Sequence, residues 1–110
     1  MTPARFSFGL ALGLVAFAAT AQTYDVQVNP KLNGLDITIV PVANSGVLVV
    51  KLTNKSDVKV RCDLMYEADP QLPSRAYVFI APGKTESDTL RATQTWFSVT
   101  VNVDCRAAKD

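Results

Sequence analysis

Two stretches of this chain alternate apolar and polar residues so strictly that they admit one local structure. In residues 58–67, Val58, Val60, Cys62, Leu64 and Tyr66 fall on one side. Lys59, Arg61, Asp63 and Glu67 fall on the other, with Met65 the apolar exception. In residues 97–105, Phe97, Val99, Val101, Val103 and Cys105 oppose Ser98, Thr100, Asn102 and Asp104. A period of two marks a β-strand with one face in a core and one in water. Each stretch carries one cysteine, and each cysteine lies on the apolar side. Cys62 and Cys105 are the only cysteines in the chain, and they are expected to pair as a core disulfide. The closed loop of roughly 44 residues corresponds to about 4 kcal/mol of loop-closure entropy.

Weaker versions of the pattern fill the rest. Tyr24, Val26 and Val28 alternate with Asp25, Gln27 and Asn29, until Pro30 and Asn33-Gly34 interrupt. Residues 35–42 are rich in β-branched side chains, and Asn44-Ser45-Gly46 marks a turn. In residues 47–53, Leu48, Val50 and Leu52 share a side, and Asn54-Lys55-Ser56-Asp57 turns again. Pro70 and Pro73 sit in a longer loop at 68–74. Residues 75–80 read as a strand, 85–90 as a weaker one, and 91–95 as polar connection. About seven short strands at roughly ten-residue spacing imply an all-β chain, an antiparallel immunoglobulin-like β-sandwich with one core disulfide. The cysteines fall on the fourth and seventh strands, and Trp96 opens the last one. That departs from the antibody pattern, so the sandwich architecture is expected rather than membership of that family.

The N-terminus sets the compartment. Arg5 is followed by a mostly apolar run, 6–18, and then by the small residues Ala19-Thr20-Ala21. This is the layout of a secretory signal peptide, expected to span 1–21 and to leave a single domain, 22–110. The apolar run is short for a membrane span. A disulfide suits a periplasmic or extracellular product, soluble after cleavage. The chain holds eleven Lys/Arg against ten Asp/Glu, so without Arg5 the charges balance. No basic run exists, and no nucleic-acid partner is expected. Asn54-Lys55-Ser56 matches a glycosylation sequon.

Much catalytic chemistry is excluded by composition. With no histidine, a Ser-His-Asp triad, a Cys-His pair and a blue-copper ligand set are all impossible. Two cysteines are too few for a thiolate zinc site. Asp63 and Glu67 share a strand face but lie about 13 Å apart, beyond the carboxyl spacings of glycosidases. No cofactor and no metal is expected. Gly83-Lys84-Thr85 copies the end of a phosphate-binding loop, yet the required upstream glycine position is Val78, and Pro82 removes a needed amide. Pro82-Gly83 instead fits a type II turn, with proline at the second position and glycine with positive φ at the third.

Candidate contact residues come from register and parity. If the strands at 47–53 and 58–66 form a hairpin, Lys51 sits opposite Lys59 or Arg61 on the outer face. The three cations would then make a small anion-binding spot. Trp96 breaks the parity of a strand whose inward residue is Phe97, which makes an exposed Trp96 a further contact candidate.

The segments "VVKLTNKSDVKVRCDLMY", "APGKTESDTL" and "FSVTVNVDC" resemble a pattern in small secreted proteins of pseudomonad-type bacteria. Some of those carry the name 3-phosphoglycerate kinase. The enzyme of that name is a cytosolic two-domain α/β protein of a size and architecture that this chain cannot form, and the resemblance transfers no functional residues. The expected function is a non-catalytic secreted or periplasmic module that binds a protein or a cell-envelope component. A small-molecule carrier with a pocket between the sheets is the alternative.

Overall fold

The computed structural model describes residues 24–109; the expected signal peptide, 1–21, lies outside the described residues. Seven strands follow in order: β1 (Asp25–Lys31), β2 (Ile37–Asn44), β3 (Val47–Asn54), β4 (Val60–Asp69), β5 (Ser74–Ile80), β6 (Thr85–Arg91) and β7 (Ser98–Ala107). They form a four-stranded sheet of order β1-β7-β4-β5 and a three-stranded sheet of order β2-β3-β6. The chain is thus an immunoglobulin-like β-sandwich, as its alternation implies. Its pairings are antiparallel except one: β1, from the start of the domain, runs parallel to β7.

The alternation becomes the core. Leu48, Val50 and Leu52 of β3 are fully buried, as are Val60 and Cys62 of β4, Ile80 of β5, and Val101 and Cys105 of β7. Each such aliphatic side chain contributes about 1.5–3 kcal/mol relative to staying in water. Cys62 and Cys105 face each other in the β4–β7 register and are joined by a disulfide, with Cα atoms 4.0 Å apart. The bond therefore links two central strands of the same sheet.

Two expectations need correction. β3 and β4 do not form a hairpin; they lie in different sheets. Both strands bury an apolar face, and the chain crosses between the layers at 55–59 to bring those faces together. Asn54 fixes the crossing and is fully buried. Its Nδ2 donates to the carbonyls of Val58 (2.7 Å) and Ile80 (2.9 Å), and its Oδ1 accepts from Ser56 N–H (2.9 Å). Its backbone carbonyl accepts from Gly83 N–H (2.8 Å). With both amide hydrogens engaged and no exposure, the Asn54 side chain of the folded protein is closed to glycosylation.

The second correction concerns the start of the last strand. β7 begins at Ser98, so the alternation does not extend to its two preceding residues. Phe97 is 72% exposed, whereas Trp96 is 3% exposed. The indole packs edge-on against Tyr24, centroids 5.1 Å apart, and its Nε1 donates to Gln71 Oε1 at 2.6 Å. Gln71 supplies the acceptor that a buried indole N–H requires. Val58 likewise precedes its strand and is exposed.

The β5–β6 connection is the turn read from Pro82-Gly83. Lys84 N–H donates to Ala81 C=O at 3.0 Å, and Gly83 has φ +75°. Its phosphate-loop look is confined to residue identity: the segment that follows is strand β6, where a phosphate loop feeds a helix.

Candidate functional site

Only one side of the four-stranded sheet faces the core, so register sorts the other side into rows. Arg106, Arg61 and Phe79 form one row across β7, β4 and β5. Asp104, Asp63 and Tyr77 form the next, and Asn102, Met65 and Arg75 the third. Farther along β4 the face turns acidic, with Glu67 opposite Thr100 and Asp69 opposite Ser98. The strands thus lay a cationic, aromatic end and an acidic end on one surface.

At the cationic end the groups touch. The Arg61 guanidinium carbon stands 4.4 Å from the Tyr77 ring centroid and 5.7 Å from that of Phe79. Lys59 Nζ lies 5.1 Å from the Phe79 centroid. The two rings meet edge-on at 5.8 Å and are 57% and 44% exposed. Cation–π contacts at exposed sites are worth about 0.5–1 kcal/mol each. They hold the cations in place without neutralising them.

Asp63 is the one carboxylate that pairs with the cluster among the described residues. Its Oδ1 accepts from Arg61 Nε (3.2 Å), and its Oδ2 accepts from Arg106 Nη1 (2.7 Å). Partial burial pushes the Asp63 carboxyl up, but the Arg106 and Arg61 hydrogen bonds outweigh it and hold the group below the usual carboxylate range. Arg75 and Lys59 form no ion pair among the described residues. Lys59, Arg61, Arg75 and Arg106 therefore share this face with Asp63 and Asp104, and only Asp63 is in an ion pair with them among the described residues. An open depression of about 850 Å³ lies over this region, lined by Asn29, Arg61, Asp63, Met65, Arg75 and Tyr77 among others.

Of the residues singled out from sequence, the structure brings Lys59 and Arg61 together. Lys51 does not join them. It lies on β3 between Val40 and Ser87, in the other sheet. Trp96 is interior. Tyr77, Phe79, Arg75 and Arg106 are the members that sequence reading missed. The signal was there: Arg75, Tyr77 and Phe79 share one parity, opposite Ala76, Val78 and the buried Ile80.

A second polar arrangement joins the sheets. Tyr66, 2% exposed, donates its hydroxyl to Asp88 Oδ2 at 2.6 Å across the sandwich. Burial, followed by the Asp88 hydrogen bond and charge, pushes the Tyr66 phenol far above its ordinary value. Burial also raises Tyr24, against the lowering influence of its bond to the Asn44 carbonyl. A folded-state pKa above the unfolded value near 10 means stability is full below that pH and falls above it. Each such group steepens the loss by about 1.4 kcal/mol per pH unit. Urea titrations between about pH 9 and 11 should show a shallower decline for Tyr66→Phe than for the parent chain. Equal slopes would contradict the assignment. Among the described residues, no three His, Cys, Asp or Glu side chains are grouped to hold a metal. Nor is any helix there long and apolar enough to cross a membrane.

Strand order, packed core and a same-sheet disulfide define the class, a small immunoglobulin-like sandwich. Among solved structures, the chain is similar to a DUF1425 family member from Shewanella sp. pv-4. The identity is 14% and the TM-score 0.40, over 69% of this chain and 80% of that one, a likeness too distant to bear on function. No protein-family model and no curated protein matches the chain.

Proposed function

We propose that this chain is a non-catalytic binding module of the periplasm or extracellular space. Its partner is a protein or cell-envelope component that presents anionic groups to the outer face of the four-stranded sheet. The observation that carries this reading is the Lys59/Arg61 pair held against the exposed Tyr77 and Phe79 rings. Exposed aromatics flanked by cations suit contact better than catalysis, since the one carboxylate paired with them, Asp63, is already engaged by Arg61 and Arg106. The signal-like N-terminus and the disulfide support an exported setting.

The test is retention of the disulfide-bonded protein on a dextran sulfate column, eluted with salt. The double change Lys59→Glu, Arg61→Glu should elute at clearly lower salt, because each exposed cation contributes to a screened attraction. Lys51→Glu makes half that charge change on the other sheet, so Lys51→Glu with Lys55→Glu is the matched comparison. If the matched pair elutes as early as the Lys59/Arg61 pair, net charge alone drives retention and the proposed face is wrong.

A further inference from the structure

Three of the four outer strands carry a device against pairing with another chain. β1 and β2 hold prolines, Pro30 and Pro41. β6 turns Asp88 toward the core side, where it accepts the Tyr66 hydroxyl. Prolines and inward-facing charges are how natural sheets blunt their edges. β5 has no proline and no carboxylate in its sequence SRAYVFI.

The direction of its backbone groups follows from register. Ala108 N–H donates to Lys59 C=O at 2.9 Å. Odd-numbered residues of β4 therefore exchange hydrogen bonds with β7, and even-numbered ones turn theirs toward β5. The 4.0 Å Cα separation of Cys62 and Cys105 agrees, being the close spacing of a pair that shares no backbone hydrogen bond. Cys62 and Leu64 thus bond to Val78 and Ala76, their partners on β5. The N–H and C=O groups of Arg75, Tyr77 and Phe79 point to the open edge. No other strand lies beside that edge among the described residues. The same three residues carry their side chains into the cationic, aromatic surface.

We infer that β5 accepts an extended peptide as an added strand, and that the peptide bears acidic side chains at alternate positions. The inference rests on the anion-binding face proposed above and names its partner. Main-chain hydrogen bonds to Arg75, Tyr77 and Phe79 supply the attachment, and alternate side chains supply selectivity. Acidic groups on the outer side meet Arg75, which has no ion-pair partner among the described residues, and approach Lys59 and Arg61. The intervening side chains lie beside half-buried Ala76 and Val78, which suits small apolar residues. A second copy of this chain is a poorer occupant. Antiparallel self-pairing centred on Tyr77 sets Arg75 of one copy beside Phe79 of the other, a ring already flanked by Lys59 and Arg61. Crowded like charges oppose that arrangement.

The probe is a synthetic peptide of alternating Glu and Val with blocked ends, titrated into the disulfide-bonded protein by calorimetry. Three changes should each weaken binding by about tenfold or more. They are Lys in place of Glu in the peptide, N-methylation of the peptide amides that face β5, and Arg75→Glu in the protein. Undiminished binding of the N-methylated peptide would overturn strand addition while leaving the anionic face intact. So would retention on dextran sulfate without any binding of the peptide. Failure of both probes sinks both readings. Dimers in sedimentation that Tyr77→Pro dissociates would give the edge to a second copy and also overturn the inference.

Discussion

Replacing Cys62 and Cys105 together by alanine is expected to lower the unfolding free energy by about 4 kcal/mol. The disulfide spans a sequence separation of 43 residues, a segment that contains all of β5 and β6. Removing it frees that segment in the unfolded chain, which is where most of the loss arises in the loop-entropy account. The folded side adds a smaller loss, because both sulfurs are fully buried between the sheets and alanine leaves space behind. For a domain of this size, net stability is of the order of 5–10 kcal/mol, so the variant should be marginal at physiological temperature. Urea unfolding of oxidised, reduced and double-alanine protein measures the effect. The reduced parent and the double-alanine protein should fall together at much lower midpoints than the oxidised protein. A loss below about 1 kcal/mol would mean that the packing of β4 on β7 needs no covalent help.

Trp96→Ala is the second large change, with an expected cost of about 3–5 kcal/mol. The indole closes one end of the sandwich against Tyr24, and its N–H is held by Gln71. Truncation opens a large cavity there and strips Gln71 Oε1 of one donor. The neighbouring Phe97→Ala should fall within about 0.5 kcal/mol of the parent, since that ring is 72% exposed. Thermal and urea midpoints of the two variants give a direct comparison of adjacent aromatic residues. Equal losses, or a larger loss for Phe97, would contradict the inward placement of Trp96.

The contrast between those two residues shows how far alternation carries. Parity assigns Val60, Cys62, Leu64 and Tyr66, and Val99, Val101, Val103 and Cys105, to the core, and all are buried. Parity holds because pleating is a local property of the backbone. It fails beyond the strand: extending the period past Ser98 gives Phe97 an inward place, but there the chain has already left the sheet. The disulfide was legible for the same local reason, since two same-side cysteines on apolar strands must meet the same core. The Pro82-Gly83 turn was legible because those two residues restrict φ themselves.

Neighbourhood was not legible. A period of two assigns faces to a strand but says nothing about which strand lies beside it. Lys51 groups with Lys59 and Arg61 only if consecutive strands pair. The buried Asn54 network sends the chain to the other sheet instead, and a lone asparagine in a turn gives no sign of that. Tyr77 and Phe79 pose the opposite problem. Their shared parity with Arg75 was readable, but large aromatic residues suggest a core, and only the sheet order puts them in water.

The parallel pairing of β1 with β7 has a mechanical consequence. Because the strands run the same way, the start of β1 and the end of β7 lie at opposite poles of the sandwich. A pull between those two points slides one strand along the other and loads the seven paired positions of their ladder together. Antiparallel terminal strands would instead present both ends at one pole and peel apart bond by bond. Beyond that ladder, the covalent tie at Cys62 and Cys105 keeps the segment between them from being drawn out. A domain wired in this way resists extension along its own axis, whatever it is attached to.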